Sequence, residues 1–225
     1  MKRHVRFAFP IALLFVMATA VYAGGWAIIT LNDLPDHAVA GQPLHLTFMV
    51  RQHGVTPLSG LKPTVRATMR TGRTGLKTSA AVRPTTNKGE YTAALTLPES
   101  GEWTITIDSS FMTSTTTLPP LKVIEKGSPL PRPFADNTRG GRLFVAKGCV
   151  GCHRHLEINP ERASTPDLDL SAKRYDHEYL KKFLADPSIK TADMPNLRLN
   201  GREVTALAAF LNKFSAKQKQ LNLQK

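Results

Sequence analysis

Residues 146–155 read AKGCVGCHRH, and this stretch holds both cysteines of the 225-residue chain. Cys149 and Cys152 stand three positions apart, and His153 follows directly. Two cysteines cannot supply a disulfide scaffold for a chain of this length, so the motif predicts a site of chemistry. The sequence on either side decides which chemistry it is.

Three chemistries use cysteines at this spacing. A zinc site needs four ligands, commonly from two separated pairs, and the chain has no second cysteine pair or spaced histidine pair. A thioredoxin-like redox pair follows a strand in a βαβ unit, whereas a helical pattern precedes Cys149. The third chemistry uses every position: the two thiols add to the two vinyl groups of one haem, and His153 meets the iron. The motif therefore predicts one covalently bound haem c.

The C-terminal part of the chain has helical periodicity. Apolar residues recur at helical spacing in 137–148, 176–186 and 201–214. Asn137 or Thr138 is the predicted start of the first helix, Asp176 the N-cap of the second, and Pro187 its end. The tail after residue 214 is polar, and we expect it to fray. This part is predicted to be all-α.

Met194 is the best candidate for a second axial ligand. It is the only methionine beyond Met112 and lies in the proline-bearing loop TADMPNL, residues 191–197. A thioether in so polar a loop favours ligation over packing in a core. His177 is the rival, but its acidic neighbours indicate a solvent-facing position. His155 follows His153 too closely to reach the opposite face of a haem, so it is interpreted as a surface or propionate-side residue.

Residues 24–125 show a different period. Strand-like runs occur at WAIITL, LHLTFMV, TVRATM, YTAALTL, WTITI and LKVIE, with turn signals such as NKGE and PESGE between them. In the second run, Leu44, Leu46, Phe48 and Val50 face one way. Short strands at this spacing predict an antiparallel β-sandwich.

Two segments outside these domains set the organisation of the chain. Residues 1–23 combine a basic start, an apolar run and small residues before Ala23, which is typical of a cleaved secretory signal. An uncleaved membrane anchor is the alternative. Residues 126–136 hold three prolines and no periodicity, so they predict a semi-rigid linker. The predicted order is signal (1–23), sandwich (24–125), linker (126–136) and helical domain (137–225), exported to the periplasm or the outer face of the cytoplasmic membrane.

Residues 137–214 resemble a class I c-type cytochrome domain of the bacterial monohaem kind. The segments that carry the resemblance are, in order, GRLFVAKGCVGCH, TPDLDL, YLKKFLADPS, MPNL and EVTALAAFLNKF. The resemblance implies thioether bonds at Cys149 and Cys152, with His153 as the proximal ligand and Met194 as the distal ligand. It also implies that the Pro166 carbonyl accepts a hydrogen bond from the proximal imidazole.

The same resemblance implies a close helix crossing, in which Gly140 and Phe144 pack against the last helix near Phe210. A glycine inside a helix costs up to about 1 kcal/mol relative to alanine, which makes sense where two helices must cross closely.

The sandwich is similar to YtkA-like or FixH-like immunoglobulin-type domains through GEYTAALTLPESGEWTITI. Some relatives of these domains are linked to copper. The candidates for a metal site are His45, Met49 and His53, which alternate onto the outer face of one strand, with His37 in the loop before it. Four residues along a strand span about 13 Å, so the three cannot share one metal ion unless the strand bends after Val50.

Charge suggests the kind of partner. The net charge is +13, and residues 137–225 carry 16 basic against 9 acidic residues. A basic cytochrome surface suits docking to redox partner proteins with an acidic surface, and a lipid surface is a second candidate. Nucleic acid is a poor fit, because export removes that target and no basic–aromatic motif is present.

Three functions are therefore open. The first is an exported electron carrier, which is not an enzyme. The second is the cytochrome c subunit of a larger membrane-associated oxidoreductase complex. The third is copper handling or sensing through the sandwich.

Overall fold

The computed structural model describes residues 25–155, 157–159, 168–169, 175–189 and 194–223. The predicted signal segment lies outside the described residues. Among those residues, none of the helices combines the length and the apolar character needed to cross a membrane. The N-terminal part is built from strands and the C-terminal part mainly from helices, as the sequence predicts.

Eleven strands form two sheets in the N-terminal part. The first sheet has the order β1-β3-β8-β7, with β4 paired to β3. The second has the order β2-β11-β9-β5-β6, with β10 paired to β9. Their bounds are β1 (Ala27–Leu31), β2 (His37–Val39), β3 (Pro43–Gln52), β4 (Thr56–Pro57), β5 (Thr64–Met69), β6 (Lys77–Ala80), β7 (Val82–Pro84), β8 (Glu90–Thr96), β9 (Gly101–Asp108), β10 (Thr115–Thr117) and β11 (Leu121–Ile124).

Strand direction differs from the sequence expectation at one place. All pairs in both sheets are antiparallel except β2 with β11, which run parallel with His37 opposite Lys122. This pairing places a short N-terminal strand beside the last strand of the sandwich.

The core of the sandwich follows the two-residue period of its strands. Leu46, Phe48 and Val50 of β3 are buried on one side, while His45 on the other side is exposed. Trp103 of β9 is fully buried, and its indole N–H donates to the Glu99 carbonyl (3.0 Å). Inner-face side chains of both sheets belong to one buried cluster, which excludes water from between the sheets.

The described residues of the C-terminal part form three helices and one short strand pair. Their bounds are α1 (Asp136–Ala146), β12 (His153–Arg154), β13 (Leu168–Asp169), α2 (His177–Ala185) and α3 (Gly201–Leu223), with 3₁₀ turns at Cys149–Gly151 and Pro187–Ile189. The parallel pair β12–β13 corrects the expectation that this part is all-α. The helix α3 runs through the polar tail, which was expected to fray.

The predicted helix crossing is confirmed at the middle of α1. A Cβ atom on Gly140 would lie 2.0 Å from the carbonyl oxygen of Ala206 in α3, so only glycine fits. One turn later, the rings of Phe144 and Phe210 meet with centroids 5.8 Å apart. The two helices therefore approach backbone to backbone.

The helix starts agree with the sequence in one case and differ in another. The backbone N–H of Tyr179 donates to Asp176 Oδ1 (2.7 Å), which confirms Asp176 as the N-cap of α2. The first helix begins at Asp136, one residue before Asn137 and two before Thr138, and its N-cap is Ala135 instead of either expected capping residue. The Asn137 side chain instead accepts from the Thr138 N–H (2.8 Å), so it does not cap the first turn.

Candidate functional site

The end of α1 sets the direction in which the cysteine motif leaves the helix. Lys147 closes α1 through an N–H bond to the Leu143 carbonyl (2.8 Å), and Gly148 follows with a positive φ of 78°. A left-handed residue after a helix is most readily supplied by glycine. The chain therefore turns sharply before Cys149.

The motif itself folds as a tight turn followed by a short strand. Cys149–Gly151 form a 3₁₀ turn, in which the Cys152 N–H donates to the Cys149 carbonyl (3.1 Å). His153 then begins β12 and pairs with Leu168 of β13. Both cysteines are half-buried and are not joined to each other.

The state of the Cys149 thiol argues against a redox pair. Desolvation by burial raises the pKa of Cys149 to about 12. Thiol–disulfide oxidoreductases need the opposite shift, because the thiolate is the nucleophile. In a haem c the Cys149 sulfur is part of a thioether and carries no titratable proton, so the raised pKa does not count against haem attachment.

Asn159 holds the motif, and sequence reasoning did not identify it. Its Nδ2 donates to the carbonyls of His153 (2.9 Å) and Val150 (3.3 Å), and its Oδ1 accepts from the His155 N–H (2.7 Å). One side chain thus ties the 3₁₀ turn to the strand that carries His153. An asparagine in an ordinary polar loop gives no signal of this role in a single sequence.

His155 is buried, which corrects its interpretation as a surface residue, while the propionate-side alternative stays a prediction. It is 0% exposed and stacks on Phe210 (centroids 4.6 Å apart), with Phe144 at 5.5 Å. Its Nδ1 accepts a hydrogen bond from the Glu157 N–H (3.3 Å). The crossing of α1 and α3 presents two aromatic rings, and the imidazole fills the space beside them.

The remaining predicted ligands are placed as follows. Met194 is half-buried and packs against the apolar core, which is the placement that the sequence argument weighed against ligation, so its role as a ligand stays a prediction. His177 is the first residue of α2 and is partly exposed. Pro166, the predicted acceptor for the proximal imidazole, lies outside the described residues.

The candidate copper ligands of the sandwich do not come together. His45 is exposed on β3, and His53 is exposed in the following turn, where it lies against Trp26 with ring centroids 4.4 Å apart. In the part of the chain that the structure describes, no group of three or more His, Cys, Asp or Glu residues is placed to hold a metal ion.

A buried ion pair lies beside the motif. The Lys147 ammonium is 2.7 Å from Glu203 Oε1, and both side chains are 3% exposed. The same ammonium donates to the Asn32 carbonyl in the sandwich (2.7 Å). Lys147 therefore joins α1, the start of α3 and the N-terminal sheet at one point, two residues before Cys149.

The donor set fits a haem c. It offers two thiols three positions apart on one turn, an imidazole directly after them, and a thioether in a later loop. Zinc has no matching set of four ligands among the described residues, and the raised pKa of Cys149 disfavours a redox pair.

Comparisons with known proteins bear on each half of the chain. No curated protein matches the sequence. Solved structures similar to the chain include the ZirS C-terminal domain, with 12% identity, 55% of this chain and 81% of that chain covered, and a TM-score of 0.35. Domains 4 and 5 of the S-layer protein SbsC are 20% identical, with 43% of this chain and 50% of that chain covered and a TM-score of 0.29. A superoxide reductase (neelaredoxin) from Ignicoccus hospitalis is 17% identical, with 45% of this chain and 83% of that chain covered and a TM-score of 0.31. The YtkA-like or FixH-like assignment of the sandwich stays a prediction.

The C-terminal half gives a direct match. Residues 138–215 match the family model "Cytochrome c", and this range covers most of α1, the cysteine motif, α2 and most of α3. The match supports a cytochrome c domain in the C-terminal part of this chain, and the cofactor of that domain is covalently bound haem c.

Proposed function

We propose that this protein is an exported electron carrier with one haem c, attached through Cys149 and Cys152 and ligated by His153 and Met194. The observation that carries the proposal is the Cys-x-x-Cys-His motif directly after α1, inside the region that matches the cytochrome c model. When bound, the haem supplies one-electron chemistry by cycling between ferric and ferrous iron.

The residues of the chain have separate tasks in this proposal. The two thiols hold the cofactor permanently, so that it is kept through every redox cycle. His153 supplies the proximal nitrogen, and Asn159 fixes the backbone on either side of it through the bonds to the Val150 and His153 carbonyls. Met194 supplies a soft thioether, which stabilises ferrous iron and raises the reduction potential. Both axial positions are then filled, which favours electron transfer over substrate chemistry at iron.

The proposal also includes where the protein is located and what kind of redox partner it binds. The basic, apolar and small-residue pattern of residues 1–23 supports export to the periplasm or the outer face of the cytoplasmic membrane. The excess of basic residues in 137–225 supports docking to an acidic redox partner, because long-range attraction speeds encounter.

The axial ligands can be tested by replacing Met194. In Met194→Ala, we expect the covalent haem to be retained and the weak sulfur-to-iron absorption at the red end of the ferric spectrum to disappear. Loss of the thioether should shift the equilibrium toward ferric iron at least tenfold, which corresponds to about 59 mV for one electron. Spectroelectrochemical titration measures both effects.

His177→Ala is the matched control, and it should leave the band and the potential unchanged. If Met194→Ala changes neither while His177→Ala changes both, the haem has two histidine ligands and the assignment of Met194 is wrong.

A further inference from the structure

The first strand of the sandwich is buried on both of its faces. Ile29 and Leu31 point into the sandwich core and are 2% and 0% exposed. Ile28 and Thr30 point the other way, yet they are only 7% and 4% exposed. An outer strand of a free-standing sandwich would show solvent on that side, so something else covers it.

The cysteine motif packs against this outer side of β1. A Cβ atom on Gly151 would lie 1.9 Å from Ile28 Cδ1, and one on Gly148 would lie 2.4 Å from Ile28 Cγ2. These glycines stand immediately before Cys152 and Cys149. The Ile28 side chain therefore lies directly on the backbone that carries both thioether positions.

The same sheet also reaches the segment that follows Met194. A Cβ atom on Gly54, in the turn after β3, would lie 3.7 Å from the Pro195 ring. Arg51 of β3 stands opposite Ile28 in the strand pairing, and its side chain donates to Thr30 Oγ1 (3.4 Å). Burial is the larger of two causes that lower the pKa of Arg51, and the positive charge of Arg198 is the smaller. We call Ile28, Thr30 and Arg51 the covering face.

Polar contacts fix the covering face in place. Besides the bond from the Lys147 ammonium to Asn32, Thr30 Oγ1 donates to the Lys147 carbonyl (3.4 Å). Farther along α1, Arg139 pairs with Asp36, and Arg142 donates to the Pro120 carbonyl (2.8 Å). Contacts at several points on one helix hold the two parts in a defined orientation.

We propose that the covering face is a wall of the haem site and that Ile28 keeps water away from the thioether attachment. The inference rests on the proposed function, since it assumes a haem at Cys149 and Cys152. Ferric iron leaves one more positive charge on the haem than ferrous iron does, so the apolar Ile28 side chain, with the positive charge of Arg51 beside it, disfavours the ferric state and raises the potential. The sandwich is in this way a determinant of the redox potential as well as a neighbouring domain.

The test compares two carboxylates placed on the same sheet of the full-length holoprotein. Ile28→Asp places a carboxylate and its water against the cysteine motif. We expect the equilibrium between ferrous and ferric iron to shift at least tenfold toward the ferric form, which lowers the reduction potential by about 59 mV. Ala94→Asp is the matched control. It adds the same charge on the exposed outer side of β8, two strands away, and should leave the potential unchanged. Amide hydrogen exchange at residues 148–151 should quicken in the first variant only.

A second variant keeps the proposal testable if Ile28→Asp does not fold with its haem attached. Ile28→Ala removes apolar volume without adding charge, and a shift in the same direction, smaller than for Asp, supports the wall. An unchanged potential in Ile28→Ala, or equal potentials for Ile28→Asp and Ala94→Asp, overturns it. Failure of the proposed function is distinguishable, because the parent protein would then carry no covalent haem in a denaturing gel.

Discussion

The two halves of the molecule fill their interiors in different proportions. The sandwich buries many large side chains from both sheets, among them Phe48, Tyr91 and Trp103, each at most 1% exposed. The described helical part also buries large side chains such as Phe144 and Phe210, but a greater share of its buried positions are alanines, namely Ala146, Ala206 and Ala208. Small side chains let helices approach closely, but they supply little apolar volume.

This difference indicates what each half needs in order to be stable. A domain of about 80 residues buries a limited share of its surface and is marginal without an added source of stability. The sandwich closes its core with its own side chains. The helical half has a close crossing, a buried imidazole and a buried ion pair, and we expect the covalently bound haem c to supply the added stability.

The largest difference between the two halves should appear when both cysteines are removed. In Cys149→Ala with Cys152→Ala, no thiol remains to bond a vinyl group, so haem retention in a denaturing gel should be abolished. Hydrogen exchange should show that α1 and α3 lose protection, while β9 keeps it because its core needs no cofactor.

The single variant Cys149→Ala is the control, since one thiol is left and some covalent haem should remain. Haem retained equally by the double variant would contradict the attachment site. Loss of protection in β9 would show that the sandwich also depends on the haem.

A smaller effect is expected from breaking the buried pair between Lys147 and Glu203. Glu203→Gln keeps an oxygen for the Asn200 N–H, which donates to the other carboxylate oxygen (3.1 Å), but leaves the Lys147 ammonium without its counter-charge. Removing one partner of a buried pair costs about 3–5 kcal/mol of unfolding free energy, which urea titration measures.

The exposed pair between Glu178 and Lys181 in α2 (3.2 Å) offers the matched control. Glu178→Gln should change the unfolding free energy by about 0.5 kcal/mol or less. Equal effects from the two substitutions would show that the pair at Lys147 is not a structural junction.

The smallest of the three effects concerns the helix crossing. Gly140→Ala places a methyl group against the Ala206 carbonyl, so α1 and α3 must separate, and we expect a loss of about 1–3 kcal/mol. Thermal unfolding of the holoprotein followed at the haem absorption measures it.

Gly201→Ala controls for the change in helix propensity. A Cβ atom at Gly201, the first residue of α3, would meet nothing within 4 Å, so the variant should be neutral or slightly stabilised. A neutral Gly140→Ala would mean that the helices can shift without cost.

Much of the fold was accessible from the sequence because the long strands alternate clearly. The six predicted runs correspond to β1, β3, β5, β8, β9 and β11. The runs that went unpredicted are short and carry few apolar residues, such as TTT in β10 and KTSA in β6. Their backbone pairing is dictated by their neighbours in the sheet, which a single sequence does not reveal.

The functional site also divides into features that local sequence patterns predict and features that depend on contacts between distant residues. The cysteine motif and the cap at Asp176 are local patterns, so the sequence predicted them, whereas the helix crossing at Gly140 was implied by the resemblance to class I c-type cytochromes. The burial of His155 and Lys147 depends on elements that come together from distant parts of the chain. One signal of the covering face was present: Ala27–Leu31 reads AIITL with no polar alternation, which is typical of a strand covered on both faces.

The contact between β1 and the cysteine motif also constrains the order in which the molecule can be assembled. Thr30 and Asn32 bond to Lys147, which comes 117 and 115 positions later in the chain. During synthesis β1 can pair with β3 long before residue 147 exists, and contacts of such wide separation form late. Because Ile28 lies over Gly148 and Gly151, we expect the two cysteines to be more accessible to the haem before this contact closes. We therefore expect biogenesis to run in a fixed order: sandwich first, haem attachment second and closure last.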